Sequence, residues 1–141
     1  MHSSARNQFA GTVTAIHTGV VTDEIAIRTS AGVALVATIT HTSATALGLK
    51  LGSEVVALIK APSVIIVTQA EGMRFSARNQ LSGTVMQVKT GSVNSEVHID
   101  VQGLQVVAMV TNDSAHSLEL TTGSKATALF KASQVVLAVK G

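Results

Sequence analysis

The stretch that decides the fold is Ser-Ala-Arg-Asn-Gln at residues 4–8, because the same five residues return at residues 76–80. The match continues at an offset of 72 positions, and Gly-Thr-Val at 11–13, for example, recurs at 83–85. One residue is lost near Gly32, and the offset is then 71. About 28 of roughly 65 aligned pairs are identical, far more than chance produces, so the chain is two copies of one module.

The repeat sets the domain organisation of the 141-residue chain. We expect a first module over residues 1–69, a polar linker over 70–75 and a second module over 76–141. A module of about 65 residues buries little core on its own. We therefore expect the two modules to share burial within the chain, and the chains to associate further into an oligomer.

Each copy is predicted to be mostly β-structure, because Val, Ile and Thr alternate or run together between Gly-containing turns. In the first copy these runs are residues 11–16, 24–28, 34–40 and 55–60. The exception is the segment 42–49, with its counterpart 113–120, where Ser, Thr or Asp precedes Ala and Leu at helical spacing. That pattern predicts one short helix per copy, with Ser43 and Ser114 as N-caps. The predicted fold class is therefore all-β: two tandem OB-type five-stranded barrels, each with one short helix.

The composition excludes several classes of protein. A hydrophobic content of 46% is too high for an intrinsically disordered chain, and the absence of cysteine excludes disulfide scaffolds, zinc ribbons, iron–sulfur clusters and thiol nucleophiles. The apolar runs are too short for a transmembrane helix, and no charged-then-apolar leader opens the sequence. We therefore expect a cytoplasmic protein without a membrane partner.

The charge distribution argues against a nucleic-acid partner. Ten Lys and Arg against eight Asp and Glu give a net charge of only +2, and the basic residues are scattered. Proteins that bind single strands combine a basic groove with aromatic stacking surfaces. This chain has no Trp or Tyr, and its three Phe are isolated in the sequence. No nucleic-acid partner is predicted.

Catalysis is not predicted either. No two of the five His residues have a metal-ligand spacing, four of them are replaced in the other copy, and no Gly-x-Ser-x-Gly nucleophile elbow occurs. The acidic residues on predicted strands and turns are interpreted as solvated surface; they are Asp23, Glu24, Glu96 and Asp100. We predict neither an enzyme nor a protein-ligated metal site.

The polar residues that both copies retain point to an anion site. The retained hydroxyls and cations are Ser4, Thr40, Arg6 and Lys60, which match Ser76, Thr111, Arg78 and Lys131. The small residues beside the cations, which allow close approach of backbone N–H groups, are Ala5, Ala61, Ala77 and Ala132. Hydroxyls, bare N–H groups and one or two cations suit a small, doubly charged oxyanion. A structural explanation stays open, since Thr suits strands and a Lys at a strand end is solvated.

These motifs resemble those of the molbindin (Mop) family. The residues that carry the resemblance are Ser-Ala-Arg-Asn, Gly-Thr-Val, Thr-Gly with a following Glu, and a Lys-Ala pair that closes the module. They occur twice, so the chain resembles the tandem, two-module form of the family over essentially its full length. The resemblance implies OB-type barrels assembled as a homotrimer, which hold molybdate or tungstate between subunits and serve intracellular molybdenum storage and homeostasis. It implies no organic cofactor.

The resemblance also implies two classes of site. Its molybdate-binding residues are Ser4, Ala5, Arg6, Thr40, Lys60 and Ala61 in the first copy, and Ser76, Ala77, Arg78, Thr111, Lys131, Ala132 and Ser133 in the second. A second class of oxyanion site, near the threefold axis, is implied at Gly19, Val20 and Val21 and at Gly91, Ser92, Val93 and Asn94. Pro62 stands where the second copy has Ser133, and proline offers neither an N–H nor a hydroxyl. We therefore expect the sites closed by Ser133 to bind more tightly.

Two other functions remain open from the sequence. An OB-type barrel is compatible with a single-stranded nucleic-acid-binding protein, although the missing aromatic residues count against it. A structural or regulatory interaction module would keep the fold without binding an anion.

Overall fold

The computed structural model covers residues 1–141 and is built mostly from strands. The first repeat contains β1 (Asn7–His17), β2 (Thr22–Thr29), β3 (Ala34–Thr40), α1 (His41–Ala46), β4 (Glu54–Ile59), a first 3-10 turn (Ala61–Ser63) and β5 (Ile65–Val67). The second repeat contains β6 (Asn79–Thr90), β7 (Asn94–Val101), β8 (Leu104–Thr111), α2 (Asn112–Ser117), β9 (Lys125–Phe130), a second 3-10 turn (Ala132–Gln134) and β10 (Val136–Ala138). The predicted all-β class, with one short helix per repeat, is confirmed.

The ten strands form two five-stranded antiparallel sheets, each curled into a half-barrel. The strand order is β10-β4-β1-β2-β3 in the first sheet and β5-β9-β6-β7-β8 in the second. The last strand of each repeat therefore lies in the sheet of the other repeat, where β10 pairs with β4 and β5 pairs with β9. The repeat pattern does not reveal this exchange, because the sequence of a strand shows its buried face and not its partner.

The exchanged strands help to close one core. Ile66 of β5 and Leu137 of β10 are both buried, and both belong to a single cluster of 26 buried hydrophobic residues drawn from the two repeats. Full burial of an aliphatic side chain contributes roughly 1.5–3 kcal/mol. Hydrophobic burial therefore holds the two repeats together, in addition to the linker between them.

The repeated Gly-Thr-Val motif is explained by strand packing. A Cβ atom at Gly11 would lie 2.6 Å from the backbone oxygen of Arg28, and one at Gly83 would lie 2.1 Å from that of Asp100. At these points the first two strands of each repeat approach more closely than a side chain permits. A β-bulge follows in both β1 and β6, and bulges bend and twist the strand that carries them. The motif therefore marks the place where each sheet curls.

The asparagine of the repeated Ser-Ala-Arg-Asn-Gln motif joins the two repeats. Asn7 is buried; its Nδ2 donates to the carbonyl of Val107 at 2.8 Å and its Oδ1 accepts from the N–H of Val107 at 2.7 Å. Asn79 is also buried and makes the same two bonds with Val36, both at 2.8 Å. Val36 and Val107 lie on β3 and β8, which are edge strands. Each amide thus satisfies edge-strand backbone groups of the other repeat.

The helices are shorter than predicted, and their N-caps differ. Thr40 caps α1 and Thr111 caps α2, because their Oγ1 atoms accept from the N–H groups of Ser43 at 3.0 Å and Ser114 at 3.1 Å. The prediction that Ser43 and Ser114 are the caps is wrong. β3 and β8 run directly into the helices, so the last strand residue takes the cap position. Each helix has six residues, and no helix has the length and apolar character needed to cross a membrane.

Candidate functional site

The retained cations of the first repeat lie just beyond the ends of two paired strands. Asn7 of β1 pairs with Ile59 of β4, and Arg6 and Lys60 are the next residues beyond this pair. Both are exposed, whereas Ala61 is buried at the start of the first 3-10 turn. We call this group the first cationic corner; it consists of Ser4, Ala5, Arg6, Lys60 and Ala61. The structure thus brings five of the six predicted first-copy residues to one edge of the sheet.

The second repeat has a matching corner. Asn79 pairs with Phe130, and the exposed Arg78 and Lys131 are the next residues beyond this pair. The second cationic corner consists of Ser76, Ala77, Arg78, Lys131, Ala132 and Ser133. Ser133 is exposed in the second 3-10 turn, as is its counterpart Pro62 in the first. The position at which the copies differ is therefore accessible in both.

A glutamate of the other repeat holds the arginine of each corner. Arg6 donates from its two terminal nitrogens to Glu96 at 2.6 and 2.9 Å, and Arg78 donates in the same way to Glu24 at 2.5 and 3.1 Å. The hydrogen bonds from these guanidinium groups lower the pKa of both carboxyl groups. The interpretation of Glu24 and Glu96 as merely solvated surface is therefore wrong.

Only the first corner adds a histidine hydrogen bond to this ion pair; in the second, His17 lies opposite Glu24 on β1 and acts on it by charge alone. His98 Nε2 lies 2.6 Å from Glu96 Oε1, and His98 Nδ1 contacts the side-chain amide of Gln105. A carboxylate only accepts hydrogen bonds, so Nε2 carries a proton and donates it. Ala26 occupies the position equivalent to His98 in the first repeat. Eight residues line a pocket of about 450 Å³ at this corner, and Arg6, His98 and Gln105 are among them.

The predicted grouping of Thr40 with Lys60 is not found within one chain. Thr40 pairs with Thr22 beside the end of β1, whereas Lys60 lies beside the beginning of β1. About ten residue steps separate these ends, roughly 30 Å in a straight strand. Because β1 is long, Thr40 and Lys60 of the first repeat lie far apart in the structure, although both belong to the predicted molybdate-binding set.

Within the chain, the arginines reach toward the threonines of the opposite repeat. Glu96, which binds Arg6, pairs with Met109, two residues before Thr111. By the same geometry Arg78 extends toward Thr40. The hydroxyls of both threonines are already engaged at the helix caps, so an anion that uses them must share them with the helix.

The turns predicted as second-class sites are exposed hairpin tips. The exposed residues are Gly19, Val20 and Val21 in the first repeat and Gly91, Ser92, Val93 and Asn94 in the second. The glycine N–H groups are already used: Gly19 donates to Asp23 Oδ1 at 3.0 Å, and Gly91 donates to the carbonyl of Asn94 at 2.8 Å. A ligand at either turn must therefore use the residues that follow the glycine.

The groups beneath these two turns differ in charge. Asp23 is buried and lies 3.0 Å from His41 Nδ1, so its interpretation as solvated surface is wrong. In the second repeat Ser95 Oγ donates to Asn112 Oδ1 at 2.6 Å, and Asn112 Nδ2 donates to the carbonyl of Gly91 at 2.9 Å. A buried carboxylate repels a nearby anion, whereas the neutral pair does not. The second turn is therefore the more favourable place for an anion.

Sequence reasoning missed several contacts of the cationic corners. The signal for the glutamates was available, because Glu24 and Glu96 are identical residues at equivalent positions. The bridging role of Asn7 and Asn79 was equally marked by the repeat. His98 gave no such signal, because it occurs in one copy only.

The chain is similar to proteins of known family. A family model described as the TOBE domain matches residues 3–66 and 76–137. The chain is 45% identical over 141 residues to the molybdenum transport protein ModE of Herbaspirillum seropedicae, and 42% identical over 140 residues to the molybdenum-pterin-binding protein MopA of Rhodobacter capsulatus. Both matches cover 99% of this chain but only 52% and 53% of the relatives. The chain thus spans about half the length of the curated relatives it matches.

A solved structure matches along the whole of both chains. It is that of the cytoplasmic molybdate-binding protein ModG with molybdate bound, which is 45% identical and superposes with a TM-score of 0.96. The match covers 99% of this chain and 100% of the other. It confirms the tandem β-architecture predicted from the repeat.

Proposed function

The chain belongs to the TOBE-domain family, the molbindin-like proteins, in its tandem form, and from this we propose that it binds molybdate or tungstate as an intact oxyanion. The observation that carries the proposal is the match to molybdate-bound ModG, which extends over both full chains with a TM-score of 0.96. A match of that extent at 45% identity leaves the backbone of any site the two share in the same arrangement.

The donors of the cationic corners suit this ligand. Each corner offers a guanidinium, an ammonium, a serine hydroxyl and backbone N–H groups beside small alanines. An unpaired buried dianion is prohibitively costly, so every oxygen must meet a donor. Charge-assisted hydrogen bonds contribute roughly 1.5–3 kcal/mol each, and five or six of them offset desolvation. A cavity sized for molybdate leaves some donors unpaired around the smaller sulfate, which gives selectivity.

The separation of Thr40 from Lys60 supports pockets between subunits. A pocket that contains both Thr40 and Lys60 takes one of them from another copy of the chain, whereas within one chain each arginine extends toward the threonine of the opposite repeat. We propose that the copies form a homotrimer with pockets of this kind at their interfaces. Ligand and assembly then stabilise each other, because each bound anion contacts more than one chain.

The biological role that follows is molybdenum storage and homeostasis in the cytoplasm. The relatives are named for molybdenum transport and molybdenum-pterin binding, and ModG is described as cytoplasmic. The proposed function is accordingly reversible binding and not catalysis. The turns after Gly19 and Gly91 are proposed as second-class sites, with the second turn the stronger for the reason of charge given above.

Single-stranded nucleic-acid binding has less support. Phe9 and Phe130 are core residues, 5% and 1% exposed, so they cannot stack on bases. The basic residues outside the corners are scattered along the sequence and do not form the cluster that is typical of a nucleic-acid-binding groove.

Calorimetric titration with molybdate, tungstate and sulfate tests the proposed function, together with metal analysis of protein grown with molybdate. Arg6→Ala and Arg78→Ala are each expected to weaken molybdate binding at least tenfold at the affected corner, on the order of 1.4 kcal/mol or more. Arg74→Ala, which removes an exposed charge in the linker, is the matched control and is expected to bind normally. Normal binding by both corner variants would overturn the assignment of these arginines.

Light scattering tests the proposed assembly. A trimer at micromolar concentration is the expected result, with molybdate shifting dissociation to lower protein concentration. A stable monomer that still binds molybdate tightly would rule out pockets shared between chains.

A further inference from the structure

Two of the five N–H donors of each corner arginine are engaged before a ligand arrives. Arg6 gives one N–H from each terminal nitrogen to Glu96, and Arg78 gives the same pair to Glu24. A planar guanidinium binds carboxylates and other oxyanions through the same fork of N–H groups. An oxyanion therefore meets a guanidinium whose fork already holds a carboxylate.

A carboxylate and a dianion cannot both remain on one guanidinium without repulsion. Bound to the same group, they would lie a few ångströms apart and carry charges of the same sign. The side chains of Arg6 and Arg78 are 49% and 54% exposed, and ion pairs of such exposure are weak. Replacement of the carboxylate by a dianion, which carries twice the charge, is therefore favoured over retention of both.

The two glutamates differ in what they meet once displaced. Glu96 Oε1 accepts hydrogen bonds from both His98 Nε2, at 2.6 Å, and Arg6, at 2.9 Å. His98 is buried on β7, and the amide of Gln105 contacts its other ring nitrogen. Glu24 makes no hydrogen bond to a histidine, because Ala26 stands in the equivalent place; His17, opposite Glu24 on β1, acts on it by charge alone.

We propose that Glu96 and Glu24 are internal competitors of the oxyanion: each leaves its arginine when the anion binds, and His98 retains the displaced Glu96. The proposal rests on the proposed function, and it adds three positioning residues to it. Release of Glu96 costs less than release of Glu24, because the His98 hydrogen bond to the shared Oε1 strengthens once Arg6 has left. The corner of Arg6 therefore exchanges its carboxylate for an oxyanion more readily than the corner of Arg78.

Calorimetric titration of the full chain with sodium molybdate tests this exchange. Glu96→Gln and Glu24→Gln remove the competing charge and keep the side-chain shape, so each is expected to raise affinity at its corner roughly threefold or more. His98→Ala is expected to lower affinity at the Arg6 corner about threefold, and to change nothing when combined with Glu96→Gln. Glu54→Gln removes a carboxylate at the start of β4, outside both corners, and is the matched control.

Whether the glutamine variants bind molybdate more tightly or more weakly distinguishes competition by the glutamates from a role in positioning the arginines. If the glutamates only hold the arginines in place, the glutamine variants bind molybdate more weakly, and a His98→Ala effect persists without the Glu96 charge. Either result overturns the corresponding part of the proposal while molybdate binding by the unaltered protein keeps the proposed function intact. Absence of binding by the unaltered protein overturns both. Thermal unfolding of each variant confirms that the titrated protein is folded.

Discussion

The two repeats tie the start of the helix to the neighbouring hairpin with different chemistry. In the first repeat the buried Asp23 accepts from Gly19 N–H and contacts His41, the first residue of α1. In the second, Ser95 and Asn112 make a neutral bridge at the same place, and the amide of Asn112 also binds the hairpin turn. The backbone elements match, but one bridge carries titratable groups and the other carries none.

This difference shows that the fold requires a polar bridge at this position and does not require a charge. The requirement arises because Asp23 and Ser95 point into the packed sheet, where an unpaired polar group is costly. Either a carboxylate–imidazole pair or a neutral pair satisfies it. The charge is therefore free to serve another purpose, and in the first repeat it lowers the suitability of the adjacent turn for an anion.

The largest expected effect is on the amides through which each repeat holds the other. Asn7→Ala removes three hydrogen bonds from a buried position and is expected to cost about 2–4 kcal/mol of unfolding free energy. Asn79→Ala removes two bonds and is expected to cost somewhat less. Urea unfolding measures both, and the exposed neighbour Gln8→Ala is the control, expected to change stability by less than about 0.5 kcal/mol. Equal stability of the Asn7 variant and the control would contradict the bridging role.

The next effect concerns the two bridges themselves. Asp23→Ala leaves Gly19 N–H and the His41 ring without their acceptor and is expected to cost about 1.5–3 kcal/mol. Ser95→Ala removes one neutral bond and is expected to cost about 0.5–1.5 kcal/mol. Urea unfolding at neutral pH compares them. The double variant Asp23→Ser with His41→Asn installs the second repeat's chemistry in the first, and it should recover part of the loss. If Ser95→Ala lowers the free energy of unfolding as much as Asp23→Ala does, the charge of Asp23 adds no stability beyond that of a neutral pair.

A smaller effect is expected at the position where the corners differ. Pro62→Ser supplies an N–H and a hydroxyl, while Ser133→Ala removes a hydroxyl. Each neutral donor is worth roughly 0.5–1.5 kcal/mol, so Pro62→Ser should raise molybdate affinity at the first corner and Ser133→Ala should lower it at the second. Calorimetry measures the molybdate affinities of the two corners and the difference between them. If neither variant alters it, these exposed turn residues do not contact the anion.

The smallest effect is the response of stability to acid. Hydrogen bonds from Arg78 and Arg6 lower the pKa of Glu24 and Glu96 below the ordinary value of 4.5. Their contribution is therefore fully present above that pH and is lost as the pH falls through the lowered pKa. Glu96 is the less exposed of the two, at 16% against 34%, so Glu96→Gln should flatten the acid limb of a stability–pH curve more than Glu24→Gln. Identical curves for the two variants would contradict this ranking.

Much of the fold can be predicted from the sequence, because the repeat and the alternation of β-branched residues are local signals. β3 is found where the pattern indicates it, whereas β1 begins at Asn7, four residues before its predicted start at Gly11. The exchange of β5 and β10 is not predictable in this way. Both strands are short and apolar, and either sheet edge would accept them on local grounds.

The candidate site, like the fold, can be predicted from the sequence only in part. The residues of each cationic corner meet because Arg6 and Lys60 flank paired strand ends, and this follows from strand order. The position of Thr40 does not follow, since it depends on how far β1 carries the chain before it turns. The glutamates escaped prediction because their partners belong to the other repeat, about 54 to 90 positions away in sequence.

The crossing of β5 and β10 constrains how the two repeats can diverge over evolutionary time. Ile66 packs within the sheet of the second repeat and Leu137 within that of the first. A substitution in either strand must therefore fit a surface that the other repeat encodes. Recombination that replaced one repeat alone would install a strand fitted to a foreign sheet. A change in side-chain volume at Ile66 or Leu137 therefore disturbs the packing of the other repeat, and the change that compensates for it lies more than sixty residues away in the sequence.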